Sequence, residues 1–238
     1  MCTSPDPRDQ RTRHGALLSW QDGTRILIDT PPELRLQLLR EGIDRLDAVW
    51  FTHAHADHVH GVDDLRVFSL RSRQIIPAYA SFRTRSVLER RFDYIFDPRV
   101  TPDAGTSPPE ISLQTITAGQ EEQIAGKALL PLDARHGSVE VLGFRVGGLG
   151  YLTDAKQVAD ATLDAIARVD VLVLNALWWG DPHPTHLNVE EALAVVERVR
   201  PGRTYLTHLT HRVSHAGLSA DLPPRVFVAY DGLTVDVP

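Results

Sequence analysis

Phe51-Thr52-His53-Ala54-His55-Ala56-Asp57-His58, with Gly61 three residues on, follows a short apolar run, Ala48-Val49-Trp50. That run reads as a strand buried on both faces in an α/β protein. Three histidines and an aspartate within six residues are costly to desolvate without a cation. Neutral imidazole and carboxylate are the donors that suit Zn, Mn or Fe. His53 and His55 are two apart, so an extended segment points both rings the same way. Asp57 and His58 fall where the chain turns toward a helix and can address a second ion. The bland alternative is a polar surface loop with chance histidines.

On the N-terminal side of the motif, Ala16 to Trp20 and Thr24 to Asp29 read as a hairpin across Gln21-Asp22-Gly23. Glu33 to Glu41 reads as a helix closed by Gly42. Beyond the motif, helices are expected at Val62 to Phe68 and Phe82 to Phe92, strands at Ile75 to Ala80 and Ile111 to Ile116, and a loop over Asp97 to Pro109. Strands follow at Ala128 to Leu132 and Val139 to Val146, and a glycine turn leads into Tyr151-Leu152-Thr153-Asp154. The last third alternates: helix Val158 to Val169, strand Val171 to Asn175, helix Val189 to Val199, strand Arg203 to Thr207, a short helix near Leu218 and strand Val226 to Tyr230. Such alternation predicts two sheets covered by helices, within one domain over 1–238.

The 238 residues are 42 % hydrophobic and 24 % charged, an ordinary globular balance. A net charge of −6 argues against general nucleic-acid binding, which needs a surplus of Lys and Arg. One cysteine, Cys2, allows neither an internal disulfide nor a thiolate cluster. No apolar run reaches membrane-span length, and the first residues lack a secretory core, so a cytoplasmic location is expected.

The motif resembles the signature of the metallo-β-lactamase superfamily, and the resemblance extends over nearly the whole chain. It implies an α/β fold, a four-layer αββα sandwich, and a binuclear metal centre. Residue by residue, Asp29 looks like the aspartate that supports the metal loop, His136 like the third histidine of the first site, Asp154 like the bridging aspartate and His208 like the last ligand of the second site. The first ion would then take His53, His55, His136 and Asp154, and the second Asp57, His58, Asp154 and His208. Two such ions hold a bridging water as hydroxide near neutral pH. Asp29 would act behind the ligands, and His211 would support His208.

Within the superfamily, class B lactamases commonly place Cys where Asp154 stands, and flavodiiron proteins carry Glu at the position of His55. Transfer-RNA 3′-processing enzymes usually insert an arm where His136 and Asp154 are here close in sequence. The chain resembles more nearly the cyclic-phosphate phosphodiesterases of the carbon–phosphorus lyase pathway. Cys2-Thr3-Ser4-Pro5, Thr207-His208-Leu209-Thr210-His211 and Tyr230-Asp231-Gly232 carry that likeness. Pro184-Thr185-His186-Leu187-Asn188 is similar to the segment bearing the family's non-ligand catalytic histidine. Family members normally begin with a further strand and a cysteine cluster, of which this sequence holds only the last cysteine.

The resemblance implies a phosphodiesterase acting on a small, cyclic phosphate ester, with His186, Asp57 and Asp154 as the catalytic set and a homodimer as the expected assembly. A thioesterase of the same fold, or a non-catalytic metal-binding protein, is the alternative. Trp178, Trp179 and His183 are candidate substrate contacts, against the plainer reading of packing groups. Arg11, Arg13 and Arg135 are candidate phosphate clamps, because guanidinium grips two oxygens at once.

Overall fold

The structure, a computed structural model, describes residues 3–238. Cys2, and with it the start of the Cys2-Thr3-Ser4-Pro5 likeness, lies outside the described residues. The chain gathers into two compact units. One comprises Arg13–Thr117 and Gln123–Gly126; the other comprises the described residues up to Thr12, Ala118–Glu122 and Lys127–Pro238.

The unit carrying the histidine motif is a five-stranded sheet in chain order, β1 (Ala16–Ser19), β2 (Arg25–Ile28), β3 (Ala48–Trp50), β4 (Ile76–Ala80) and β5 (Ile111–Thr115). The first pair is an antiparallel hairpin and the rest run parallel. Parallel strands covered on both faces need continuous apolar sequence, and all three residues of β3 are buried. Helices α1 (Leu34–Arg40), α2 (Ala56–Val59), α3 (Arg66–Ser72), α4 (Phe82–Arg91) and α5 (Asp93–Phe96) fill the connections. Ser81 caps α4 by accepting from the Thr84 amide. Leu27, Val49 and Phe51 pack with Leu34, Leu65 and Leu88 into this unit's own core. The helix expected from Val62 starts as a 3₁₀ turn at Val62–Leu65 before α3 takes over.

After β6 (Glu122–Ile124), the other unit contains β7 (Lys127–His136), β8 (Val139–Val146), β9 (Leu149–Leu152), β10 (Gln157–Val158), β11 (Val171–Asn175), β12 (Arg203–Thr207) and β13 (Val226–Val228). They assemble in the order β10-β7-β8-β9-β11-β12-β13. β7, β8 and β9 form an antiparallel meander, while β9, β11, β12 and β13 run parallel. Helices α6 (Asp160–Ala165), α7 (Val189–Val199) and α8 (His215–Asp221) complete the unit. A capping box starts α7: the Asn188 side chain accepts from the Glu191 amide and Glu191 accepts from the Asn188 amide.

β7 is longer than the apolar run Ala128 to Leu132 predicts. Leu132, Ala134 and His136 continue one buried face, and pairing with β8 carries the ladder to His136 opposite Val139. The helix expected over Val158 to Val169 shrinks to α6, because Gln157–Val158 pairs with Arg135 and Ala134 instead. No helix among the described residues is long and apolar enough to cross a membrane.

Candidate metal centre

The histidine loop is built around Asp29, which directly follows β2 in a left-handed conformation at φ 62°. Its Oδ1 accepts from the Thr52 amide at 2.8 Å, and its Oδ2 from the Thr52 hydroxyl at 2.7 Å and from His58 Nδ1 at 2.7 Å. The backbone straps the same loop: Thr30 N donates to His58 O at 2.7 Å and Gly61 N to Thr30 O at 2.8 Å. Burial pushes the Asp29 carboxyl above its ordinary value, against the opposing pull of His58 and Thr52. Within the loop the His53 ring centre lies 4.6 Å from that of His55 and 4.2 Å from that of His58. His53 and His58 are fully buried, whereas His55 and Asp57 are partly exposed.

These contacts choose a tautomer. His58 Nδ1 faces a carboxylate oxygen, so it carries the proton and Nε2 keeps the lone pair. The Thr52 hydroxyl gives its own proton to Asp29 and therefore accepts from His53 Nδ1, 3.0 Å away. In the other unit His136 Nδ1 faces the Thr185 carbonyl, at 2.7 Å. Each of the three rings thus presents Nε2 as its basic nitrogen, the arrangement by which metal-binding histidines are oriented.

The second cluster stands at the carboxyl ends of strands. His136 ends β7, Asp154 lies two residues past β9 and His208 directly follows β12. Asp154 and His208 are both left-handed, at φ 53° and 58°, which costs a non-glycine residue of the order of 1–2 kcal/mol each. Strain of this kind gathers at functional sites. Asp154 Oδ2 lies 3.2 Å from both His186 Nε2 and His208 Nε2, and its Oδ1 accepts from the Thr153 hydroxyl at 2.7 Å. Ligand atoms of His136, Asp154 and His186 lie within 4.8 Å of one another. The His186 and His208 rings stack with centres 4.9 Å apart. Burial pushes the His186 imidazole below its ordinary value, against the pull of Asp154.

His183 joins this group from the side, its Nδ1 3.3 Å from His186 Nδ1 and 3.2 Å from the Thr185 hydroxyl. The Trp178 ring meets His183 edge-on at 5.6 Å, with the Arg212 guanidinium carbon 4.1 Å from the Trp178 ring centre. Trp179 packs against the unit's apolar core.

The candidate arginines and His211 have these surroundings in the structure. Arg135 alternates with His136 along β7, so it emerges exposed on the opposite face, near Asp133. Arg11 donates to the carbonyls of Thr210 and Val213 at 2.9 and 3.0 Å and pairs with buried Asp9, while Arg13 pairs with Glu33. His211 is exposed. Sequence reasoning assigned nothing to Thr185, whose carbonyl orients His136, nor to Arg91, whose guanidinium holds the Ala54 carbonyl at 2.6 Å. Thr185 stands inside the Pro184-Thr185-His186 segment; nothing local marks Arg91.

The donor set fits divalent metal: imidazole nitrogens and carboxylate oxygens, with no thiol within either cluster. The family model of the β-lactamase superfamily domain matches residues 24–209, and the chain belongs to the metallo-β-lactamase superfamily. Its mixed α/β architecture, with helices flanking β-sheets, is consistent with that superfamily's four-layer αββα sandwich. A solved structure described as a new diphosphatase from the PhnP family is 33 % identical, with a TM-score of 0.89 over 100 % of this chain and 89 % of that one. At that identity and coverage the chain is kin to the PhnP family.

Among curated proteins, an octanoyltransferase of Porphyromonas gingivalis is 35 % identical over 237 residues, 98 % of this chain and 46 % of that protein. A ribonuclease Z of Bradyrhizobium diazoefficiens is 30 % identical over 146 residues, 60 % of this chain and 46 % of that protein. The chain thus spans about half the length of these curated relatives.

Proposed function

We propose that this chain is a binuclear metal-dependent phosphodiesterase that hydrolyses a small, cyclic phosphate ester. The observation that carries the reading is a hydrogen-bonding pattern shared by His53, His58 and His136, each with Nδ1 given to an acceptor and Nε2 left basic. His53, His55, His136 and Asp154 would hold one ion, and Asp57, His58, Asp154 and His208 the other. Bound there, divalent ions would lower the pKa of water and polarise a phosphoryl oxygen. Zn, Mn and Fe all accept these donors.

The chain's own residues supply the rest. Asp29 fixes the His58 ring and, through Thr52, the His53 ring, so neither reorients during a turnover. His186 Nε2 faces the Asp154 carboxylate, which would favour a protonated ring there. As imidazolium, His186 would give its Nε2 proton to the departing ester oxygen and be left as neutral imidazole. Thr185 and His183 hold the far side of the same ring. Trp178 and His183 would border the substrate. The net charge of −6 suits a small phosphorylated molecule better than a polyanion. The residues from His136 to Asp154 are taken up by β8 and β9, which supports the reading of a small substrate.

The test is a panel of cyclic ribose phosphate, cyclic nucleotides, bis-aryl phosphates and thioesters, run with Zn-, Mn- and Fe-reconstituted protein. Turnover of the phosphodiesters that disappears with chelation is expected. Thioester hydrolysis without phosphodiester hydrolysis would replace this reading with a thioesterase.

A further inference from the structure

β11 contributes no ligand, yet it lies in the sheet between β9, which leads to Asp154, and β12, which leads to His208. Its sequence, Val171-Leu172-Val173-Leu174-Asn175, is apolar until the last residue. Asn175 is fully buried there, in a place where a carboxamide is costly unless both ends are hydrogen-bonded. Both ends bond the same residue. Asn175 Oδ1 accepts from the Ala155 amide at 2.7 Å, and Asn175 Nδ2 donates to the Ala155 carbonyl at 3.0 Å.

Ala155 directly follows the left-handed Asp154, and its carbonyl also accepts from the Leu187 amide at 2.9 Å, next to His186. On its other side Asn175 is in register with Thr207, and Ala176 N donates to Thr207 O at 2.9 Å, one residue before His208. One buried amide therefore stands at the junction of the three segments that bear Asp154, His186 and His208. We infer that Asn175 is a positioning residue: it clamps both peptide groups of Ala155 so that the Asp154 carboxylate stays turned toward His186 and His208. A side chain with only an acceptor or only a donor cannot do this, because the clamped peptide offers one of each.

The inference rests on the proposed metallohydrolase, and its test separates the two. Asn175→Asp keeps the shape but sets an acceptor against the Ala155 carbonyl, and Asn175→Ala removes both bonds. Thr204→Val, equally buried in neighbouring β12, serves as the control. Zn affinity by chelator competition should fall about 10- to 100-fold in both Asn175 variants and stay within two-fold of the parent in the control, the usual loss when a residue orienting a ligand is removed. kcat on the best phosphodiester should fall similarly with KM little changed. Should the variants not fold, amide exchange at Ala155 in the unaltered protein decides: strong protection is expected, and exchange at the rate of an open loop overturns the clamp. Folded variants with parental Zn affinity and kcat overturn it too, leaving Asn175 a structural residue only. A parent that binds no metal and hydrolyses nothing instead refutes the proposed function, while the exchange measurement still judges the clamp.

Discussion

The Asp29 carboxylate and the His58 imidazole meet at 2.7 Å with neither side chain exposed to solvent. The pair joins residues 29 positions apart in the chain, one directly after β2 and the other in α2. Asp29→Ala would leave His58 Nδ1 and both Thr52 donors without their acceptor. Breaking such a buried pair costs roughly 3–5 kcal/mol. Urea unfolding should register that loss, and chelator competition should show metal binding weakened by about 10- to 100-fold. Parental values in both measurements would remove Asp29 from its supporting role.

Gly61 tests how tightly the loop is held. A Cβ there would lie 2.2 Å from the Pro31 carbonyl oxygen and 2.9 Å from Leu34 Cβ, and one of the two contacts is backbone that cannot swing aside. Gly61→Ala should therefore destabilise the protein by about 1–3 kcal/mol, the usual cost of overpacking. A thermal midpoint equal to the parent's would mean that the Thr30–Gly61 strap gives way without penalty.

Asp154→Asn asks for charge alone. Asparagine matches the shape but cannot offset the repulsion between two cations. Elemental analysis of the reconstituted variant should find reduced metal content, and turnover should nearly vanish. Two ions per chain with a near-normal rate would show that the bridge lies elsewhere.

His186→Ala separates binding from chemistry. The variant should keep its fold and both metals while turnover of an alkyl ester falls about 10²–10⁴-fold, the worth of a positioned proton donor. An aryl leaving group scarcely needs the proton, so the deficit should shrink there. Because His186 Nε2 stands 3.2 Å from Asp154 Oδ2, loss of a metal in this variant would instead make His186 a ligand.

Local pattern made part of this protein legible. The density of His53, His55, Asp57 and His58 is a statement about six adjacent residues, and no long-range contact is needed to see that it favours a cation. The boundaries of α7, β11 and β12 match the sequence reading because their apolar period is strong and their ends carry clear signals, the Asn188 cap among them.

Tertiary structure decided what pattern cannot hold. Arg135 reads as a neighbour of His136, but β7 runs on through both, and its pleat puts the two on opposite faces. Arg11 reads as a candidate phosphate clamp, and the fold brings it to the carbonyls of Thr210 and Val213, 199 and 202 residues away. Asn175 reads as the end of a strand until Ala155 closes on both ends of its amide. Residue types and their spacing follow from the chain alone. Which nitrogen of His136 carries a proton, or which carbonyl a buried amide reaches, depends on partners that only strand pairing and packing bring within hydrogen-bond range.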